Sequence, residues 1–381
     1  MNNRIKTDDF NYDLPPQKIA NYPVAKRDES KLMVIERRSF ESPEISHAKF
    51  LDIIDYLNEG DCLVINQTKV IKARFIGFKD TGARIEVLLL KPLGENLFEA
   101  MIKPAKRVSE GTIISVLPKD DETGEPLKIQ VVKSDDDIIK QVRILNADSL
   151  DYIEEFGKIP LPPYIEREAE LSDEKRYQTV YSKVKGSVAA PTAGLHFTEE
   201  LISKIQNKGI KIARILLHVG VGTFRPVNCD DISDHIMHSE YFEIPEEAAD
   251  IINSTKKSGG RVICVGTTSV RTLEGAKCIQ NASSDASSDQ KTSDLKACNG
   301  ETNVFIYPGY EFKLTDGIIT NFHLPKSTLL MLVSAFLGLD NTLNAYDIAL
   351  KSDYRFFSVC KRRKAKIPKS LSFRATSSFR S

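Results

Sequence analysis

Four segments of the sequence place glycines and hydroxyl, imidazole or cationic side chains directly after an apolar run. They are residues 189–198, 216–226, 265–271 and 316–338. Each one is typical of a strand that runs into a polar loop, and strand ends in open α/β sheets are where ligands usually bind. Glycines let main-chain N–H groups approach a ligand, and hydroxyls can bond to its hydroxyl or carboxylate groups. The four segments therefore predict a polar pocket built from strand ends.

The last of these segments shows the pattern most fully. Asn321, His323, Lys326 and Ser327 lie between a short apolar strand and a nearly unbroken apolar run. Pro325 suits the first turn of a helix, where its missing N–H would have no partner anyway. We therefore predict a strand, a polar loop and a mostly buried helix whose first N–H groups favour an anion. A core helix with an ordinary capped start explains this segment equally well.

Most of the histidines lie in or near these loops, and histidine is the side chain best suited to proton transfer near neutral pH. The residues are His196, His218, His235, His238 and His323. Since no pair has the spacing of a zinc helix, we predict no metal. Gly220 and Gly222 lack the third glycine of a dinucleotide fingerprint, and the chain has neither a Walker lysine motif nor a Gly-x-Ser-x-Gly elbow. The residues indicate an enzyme and leave its reaction open.

Composition sets the class of protein. A chain of 381 residues suggests roughly two domains, and 41% hydrophobic with 28% charged residues is typical of a soluble globular protein. Basic and acidic residues balance at 53 each, so any attraction to nucleic acid must come from a local patch. Six scattered cysteines without a Cys-x-x-Cys pair indicate a reducing compartment. With no signal-peptide pattern and no apolar run near the roughly 20 residues that span a bilayer, we expect a cytoplasmic protein.

Helices and strands alternate in the first and last parts of the chain, which predicts a parallel or mixed sheet covered by helices. The predicted strands are residues 30–35, 62–66, 211–217, 261–266 and 317–321. The predicted helices are residues 50–57, 198–207 and 246–257, one that starts near Thr268 and the closing helix. Thr198 is the predicted N-cap of the second.

The middle of the chain has a different sequence pattern, in which short candidate strands follow one another without predicted helices. Its candidate strands are residues 74–78, 84–90, 97–102, 112–116, 127–132 and 141–145, joined by connections of hairpin length. Six such strands indicate a small antiparallel β-barrel. We therefore predict a discontinuous α/β sheet domain, residues 1–68 and 156–358, interrupted by a barrel domain at 69–155. We also predict a flexible polar insertion at 279–300 and a basic, disordered tail at 359–381.

Eight short segments in order carry a resemblance that the individual motifs do not. They are residues 10–15, 66–70, 190–198, 218–227, 237–240, 266–274, 320–328 and 354–358. Together they resemble the S-adenosylmethionine:tRNA ribosyltransferase-isomerase family of queuosine biosynthesis, from residue 8 to residue 358. The family fold is an α/β domain interrupted by a small β-barrel, as predicted above.

The resemblance implies a reaction. S-adenosylmethionine is a co-substrate whose ribosyl group moves to 7-aminomethyl-7-deazaguanine at the tRNA wobble position. Adenine and methionine leave, and the product is epoxyqueuosine-tRNA. We expect no further cofactor, no membrane association and a monomeric protein.

This reaction needs a base for the proton beside the sulfonium, a proton donor for adenine and a cation or helix start for the methionine carboxylate. The predicted acid–base residues are His196, His218 and His323, with Glu240 as the carboxylate alternative. The predicted substrate-binding residues are Asn66, Thr68, Lys69, Thr192, Gly220, Gly222, Thr223, Thr267, Thr268, Arg271, Asn321, Lys326 and Ser327. For the tRNA phosphates the candidates are the basic turn at residues 103–107 together with Lys69, Lys72 and Arg74.

The end of the chain departs from the family. After Ser358 the family continues Tyr-Gly-Asp-Ala-Met, whereas this sequence reads Val359-Cys-Lys-Arg-Arg-Lys364 and ends with eight basic and no acidic residues. We interpret this tail as an altered end whose missing Gly-Asp removes a contribution to the site. As an alternative, it only adds non-specific attraction to RNA.

Two other functions stay open. A non-catalytic RNA-binding protein would use the barrel and the basic tail, and its α/β part would be structural. An RNA methyltransferase would use the same small-molecule donor, but it normally has a glycine-rich loop after a first strand, and none stands near the N-terminus.

Overall fold

The α/β part of the chain is organised around a sheet whose central strands are continuous apolar runs. The computed structural model describes residues 4–37, 43–118, 124–134, 139–147, 149–162, 164–165, 167–220, 227–283, 294–356 and 360–365. The strands are β1 Lys31–Arg37, β2 Glu44–Lys49, β3 Cys62–Asn66, β4 Thr68–Val70, β5 Arg74–Phe78, β6 Arg84–Gly94, β7 Leu97–Lys103, β8 Ile113–Val116, β9 Leu127–Lys133, β10 Ile139–Ile144, β11 Val184–Ser187, β12 Lys211–Leu217, β13 Glu240–Ile244, β14 Val262–Val265, β15 Cys298–Thr302, β16 Gly317–Ile319 and β17 Cys360–Ala365. The α-helices are α1 Leu150–Phe156, α2 Asp173–Arg176, α3 Glu199–Asn207, α4 Glu246–Lys257, α5 Thr267–Ser283, α6 Thr328–Leu337 and α7 Leu339–Lys351.

The central sheet has the strand order β15-β13-β12-β3-β14-β16. Strands β12, β3, β14 and β16 are parallel, and β13 and β15 continue the sheet antiparallel. Side chains of β3 alternate between two cores: Cys62 and Val64 pack with α4 and α5, whereas Leu63 and Ile65 pack with α3 and the 3-10 helix Phe50–Tyr56. Burial on both faces explains why this strand is apolar throughout. The sheet confirms the predicted α/β class.

The second unit is a closed barrel with the strand order β10-β7-β6-β5-β8-β9. Every neighbouring pair is antiparallel, and the pairs β5–β8 and β7–β10 join the two runs of consecutive strands into a ring. Ile85, Val87 and Leu89 of β6 point into its core because alternate side chains of a strand face the same side. Helix α1 covers part of this core with Ile153 and Phe156. The predicted small antiparallel barrel is confirmed.

Two smaller sheets complete the structure, with the strand orders β17-β1-β2 and β11-β4. Strand β17 pairs in parallel with β1, so residues 360–365 differ from the disordered tail that the sequence predicted. The physical reason is the open edge of β1, whose unpaired main-chain groups accept another strand. Residues 366–381 lie outside the described part of the chain.

The predicted polar insertion is shorter than its expected bounds of 279–300. Residues up to Ser283 belong to α5, and the last three belong to β15. Gln280 ties the two ends together: its Nε2 donates to the carbonyl of Lys296, and its Oε1 accepts from the N–H of Lys296. These bonds order flanking residues whose composition alone suggested a mobile loop. Residues 284–293 are not described.

The closing helix begins later than predicted. Ser327 is the N-cap of α6 and accepts a hydrogen bond from the N–H of Leu330 at 3.3 Å, so Pro325 lies in the preceding turn and not in the helix. Lys326 has a φ of +57° in that turn. Within the described ranges, no single helix is long and apolar enough to cross a membrane. Helices α6 and α7 meet that criterion only as a pair, and they are bent by 113°.

Candidate active site

All four polar segments meet at one pocket beyond the strand ends of the central sheet. The pocket has a volume of about 410 Å³, including its part open to solvent. It is lined by Ala190, Pro191, Thr192, Ala193, Val219, Gly266, Thr267, Thr268, Thr320, His323 and Leu329. Since the parallel strands β12, β14 and β16 end at the same edge, the residues that follow them converge there. We call this the strand-end pocket.

The start of α5 forms one wall of the strand-end pocket. Gly266 has a φ of +86°, which lets the chain turn sharply from β14 into the helix. The first N–H groups of a helix have no partner within it, and they carry the positive end of the helix dipole. Thr268 is only 7% exposed, and its Oγ1 has no hydrogen-bond partner among the described residues. This wall is therefore suited to a carboxylate or hydroxyl group of a ligand.

Among the residues that the structure describes, His323 contributes the only imidazole that lines the strand-end pocket. Its Nε2 lies 2.9 Å from Thr320 Oγ1. Its main chain is held from two sides: the N–H donates to the hydroxyl of Tyr346 at 3.0 Å, and the carbonyl accepts from the hydroxyl of Tyr12. The loop after β16 is thus fixed to α7 and to the N-terminal segment, which keeps the imidazole at the pocket wall.

His196 lies behind this pocket. It is 5% exposed, its Nε2 donates to Asn321 Oδ1 at 3.0 Å, and its Nδ1 accepts from Ser30 Oγ at 2.8 Å. Burial is the main reason why its pKa falls to about 4, although the bond to Asn321 acts in the other direction. Both ring nitrogens of this neutral imidazole are therefore bonded within the protein. The geometry gives His196 and Asn321 a role in fixing the loop before His323.

His218 follows β12 and is held on its other side. Its Nδ1 lies 2.9 Å from Thr68 Oγ1, and its ring stacks on Tyr241 at 6.0 Å. Burial lowers its pKa. A Cβ at Gly186 would lie 2.6 Å from the ring, so that glycine makes room for it. His218 does not line the strand-end pocket, although its neighbour Val219 does.

Asn66 links two central strands. Its Oδ1 accepts from the N–H groups of Thr68 and Leu217, both at 3.1 Å, and its Nδ2 donates to the carbonyl of Leu217 at 2.9 Å. The side chain is fully buried. Asn66 and Thr68 therefore hold the end of β3 against the end of β12 and orient His218. Lys69 follows on β4 and is partly buried.

Glu240 and Arg271 form a buried ion pair in which Nη1 of the arginine bonds to Oε2 of the carboxylate. Their exposed fractions are 7% and 2%. Oε1 of the same carboxylate accepts the N–H of Gly220 at 3.0 Å. The pair neutralises both charges, and it fixes the loop after β12. This arrangement differs from the predicted separate roles, in which Glu240 would act on the substrate and Arg271 would bind its anion.

The other predicted residues fall into three groups. Thr192 and Thr267 line the strand-end pocket. Ser327 caps α6, with its hydroxyl donating to the carbonyl of Leu324 at 2.7 Å, and Lys326 pairs with Asp8 at 2.6 Å on the surface. Gly222 and Thr223 belong to residues 221–226, which the structure does not describe.

Among the tRNA candidates, two cations already have carboxylate partners. Lys72 pairs with Glu174 at 2.8 Å, and Arg74 pairs with Glu86 at 3.0 Å. In the basic turn, Lys103, Lys106 and Arg107 are exposed. The described residues contain no cluster of three or more histidine, cysteine or acidic side chains arranged for a metal ion.

Two residues that fix the loop of His323 were not predicted from the sequence. Tyr12 and Tyr346 fix the main chain of His323, but they lie 311 residues before it and 23 residues after it. Tyr12 belongs to one of the segments that carry the family resemblance, and that was its only signal. A tyrosine in an apolar setting is otherwise typical of any core.

The fold and the pocket together define an α/β enzyme with a strand-end site and an inserted β-barrel. A profile of the family described as queuosine biosynthesis protein matches residues 7–359. The crystal structure of the S-adenosylmethionine tRNA ribosyltransferase of Thermotoga maritima is similar to this chain, with 34% identity and a TM-score of 0.50. The match covers 93% of this chain and 99% of the other. This chain belongs to the queuosine biosynthesis protein family, and it is a transferase. The resemblance found in the sequence is confirmed.

Proposed function

We propose that this enzyme transfers and isomerises the ribosyl group of S-adenosylmethionine onto 7-aminomethyl-7-deazaguanine at the tRNA wobble position. The product is epoxyqueuosine-tRNA, and adenine and methionine are released. The family and its solved relative support the tRNA ribosyltransferase class. The observation that carries the assignment of a site is the strand-end pocket, which is lined both by a residue at a helix start with an unpaired buried hydroxyl and by an imidazole.

S-adenosylmethionine lies in the strand-end pocket in this proposal. Its methionine carboxylate meets the first N–H groups of α5 and the hydroxyl of Thr268, because a helix start favours negative charge. Thr192 and Thr267 then face the ribose hydroxyls from opposite walls. A threonine hydroxyl can both donate and accept, as a sugar hydroxyl requires.

His323 is the base in this proposal. The positive sulfonium acidifies the adjacent ribose carbon, and a base beside it must take the proton. His323 lines the pocket, whereas His196 and His218 lie behind its walls. Glu240 is neutralised by Arg271, so it acts by holding the Gly220 loop.

The remaining parts of the proposal follow from the same reaction. S-adenosylmethionine is a co-substrate, and the enzyme uses no other cofactor. The exposed cations of the basic turn at residues 103–107 contact tRNA phosphates, so tRNA affinity falls steeply with added salt. We further propose that the protein is a cytoplasmic monomer.

Mass spectrometry of tRNA after incubation with S-adenosylmethionine tests the reaction. The substrate is a tRNA that carries 7-aminomethyl-7-deazaguanine, and the control is the same tRNA with unmodified guanine. We expect ribosyl addition with release of free adenine for the first tRNA only. An increase in mass by one methyl group would identify a methyltransferase, and no change in mass would indicate a non-catalytic RNA-binding protein. Either result contradicts the proposal.

A further inference from the structure

A second cleft lies on the other side of the 3-10 helix Thr192–His196. It has a volume of about 720 Å³, counting its part open to solvent. Its lining combines Tyr22, Tyr164 and Tyr177 with Arg27, Arg167 and Arg176. We call it the arginine cleft. None of these three tyrosines and three arginines is among the predicted site residues.

We propose that the arginine cleft binds one nucleotide of the tRNA, with the base against its aromatic wall and a phosphate at its arginines. This inference rests on the proposed function, because it assumes tRNA as the substrate. It adds a nucleotide-binding site that is separate from the strand-end pocket.

The charge of the cleft favours an anion. Asp173 neutralises Arg167 through two bonds of 2.6 and 2.8 Å. Arg27 and Arg176, in contrast, bond only to main-chain carbonyl groups among the described residues. Burial, together with the charge of Arg176, lowers the pKa of Arg27. Two adjacent cations without a carboxylate would be stabilised by a phosphate.

Both guanidinium groups keep donors for such a ligand. A guanidinium has five N–H donors. Three bonds of Arg27 reach the carbonyls of Gln178, Leu195 and Lys175, and two bonds of Arg176 reach those of Val24 and Ala25. Two donors of Arg27 and three of Arg176 therefore remain. Arginine is well matched to phosphate, because its planar fork can bind two oxygens at once.

The mouth of the cleft offers an aromatic face. Tyr22 is 54% exposed, and its hydroxyl donates to Glu170 Oε1 at 3.2 Å. The guanidinium of Arg167 lies 4.4 Å from the centre of its ring. Bases stack on such side chains in proteins that bind single-stranded nucleic acid. S-adenosylmethionine carries a positive sulfonium, so the same surroundings disfavour it.

The loop that carries Tyr22 is fixed before any ligand arrives. Arg167 donates to the carbonyl of Asn21 at 3.0 Å, and Arg355 donates to that of Tyr22 at 3.2 Å. Arg176 holds the next carbonyls, those of Val24 and Ala25. A surface that is ordered in advance loses less entropy on binding.

The arginine cleft and the strand-end pocket share a wall. Thr192 lines both cavities, and His196 lines the cleft while it bonds to Asn321 beside the pocket. A nucleotide held in the cleft therefore lies next to the place where S-adenosylmethionine reacts. The cleft would position the tRNA strand at the pocket.

The test uses two variants of the full chain and one tRNA that carries 7-aminomethyl-7-deazaguanine. Tyr22→Ala removes the stacking face, and Arg176→Gln removes a cation. The matched controls are Leu51→Ala, another exposed apolar residue, and Lys208→Gln, another cation that donates to a main-chain carbonyl. Fluorescence anisotropy at several salt concentrations measures tRNA binding, and calorimetry measures S-adenosylmethionine binding.

We expect Tyr22→Ala to weaken tRNA binding by roughly tenfold and Arg176→Gln to lower the salt dependence by about one phosphate contact. S-adenosylmethionine binding and the controls should stay as in the unmodified protein. If Arg176→Gln does not fold, Tyr22→Ala decides alone. The inference would be overturned if Tyr22→Ala bound tRNA as tightly as the unmodified protein. It would also be overturned if this variant lost affinity for S-adenosylmethionine and kept its affinity for tRNA.

The outcome separates this inference from the proposed function. If the protein transfers the ribosyl group but Tyr22→Ala leaves its tRNA affinity unchanged, the proposed role of the arginine cleft is refuted and the proposed reaction is not. A protein that binds tRNA through the cleft and transfers no ribosyl group would refute the proposed reaction alone.

Discussion

Replacing Thr268 by valine should weaken the binding of S-adenosylmethionine without harming the fold. The two side chains have nearly the same shape and the same branching at Cβ, so the start of α5 is preserved. In the proposed complex the hydroxyl donates to the methionine carboxylate. A hydrogen bond to a charged group contributes about 1.5–3 kcal/mol, so we expect a loss of affinity of roughly 10- to 150-fold.

The stability of the free protein should change in the opposite direction. The hydroxyl of Thr268 is buried, and it has no partner within the described structure. Removing an unpaired buried hydroxyl relieves a desolvation cost. We therefore expect the free energy of unfolding to stay constant or to rise by up to about 1 kcal/mol. Weaker binding in an equally stable protein cannot come from damage to the fold.

Calorimetric titration with S-adenosylmethionine and urea unfolding measure the two quantities. The matched control is Thr342→Val. Thr342 is also buried in the first turn of a helix, but its hydroxyl donates to the carbonyl of Gly338 at 2.7 Å. This control should lose about 1 kcal/mol of stability and keep its affinity. If Thr268→Val binds S-adenosylmethionine within twofold of the unmodified protein, our placement of the carboxylate is wrong.

Three further predictions concern the residues around the site. His323→Gln should lower turnover by about 10²- to 10⁴-fold, because loss of a general base has an effect of this size, and it should leave the affinity for S-adenosylmethionine nearly unchanged. The control is His47→Gln. Equal turnover of both variants in a single-turnover assay would exclude His323 as the base. Glu240→Gln should lower the free energy of unfolding by about 3–5 kcal/mol, because it leaves a buried arginine unpaired, whereas Glu301→Gln on the surface should change it by less than about 1 kcal/mol in the same urea titration. His196 has a pKa that burial lowers to about 4, against about 6.5 in the unfolded chain, so its contribution to stability is complete above pH 6.5 and is lost as the pH falls towards 4. Between pH 7.5 and 4.5 the unmodified protein should therefore lose roughly 2–3 kcal/mol more than His196→Gln, and parallel pH profiles would contradict this.

The barrel was predictable because its signal is local. Alternation of apolar and polar residues along six short runs gives both the strands and their inward faces. Strand β5 has the bounds predicted for it, and β6 differs only in running on to Gly94. The closure of the ring depends on pairing of β5 with β8 and of β7 with β10, which no local pattern specifies.

The start of the closing helix shows where a local rule failed. Pro325 and Ser327 are both good signals for a helix start, and they compete within three residues. The structure follows Ser327, whose hydroxyl caps α6. Pro325 was the weaker signal because proline merely tolerates the first turn, whereas a cap supplies a hydrogen bond.

The sequence alone determined the family, the α/β class with its barrel and the segments that line the strand-end pocket. Residue types and their order along the chain carry that information. The tertiary structure decided which polar side chains line the strand-end pocket. Glu240 and Arg271 neutralise each other, His196 bonds at both ring nitrogens, and Thr268 and His323 line the pocket. The physical reason is that a buried polar group bonds to whatever partner the fold brings to it, and these partners are far apart in the chain.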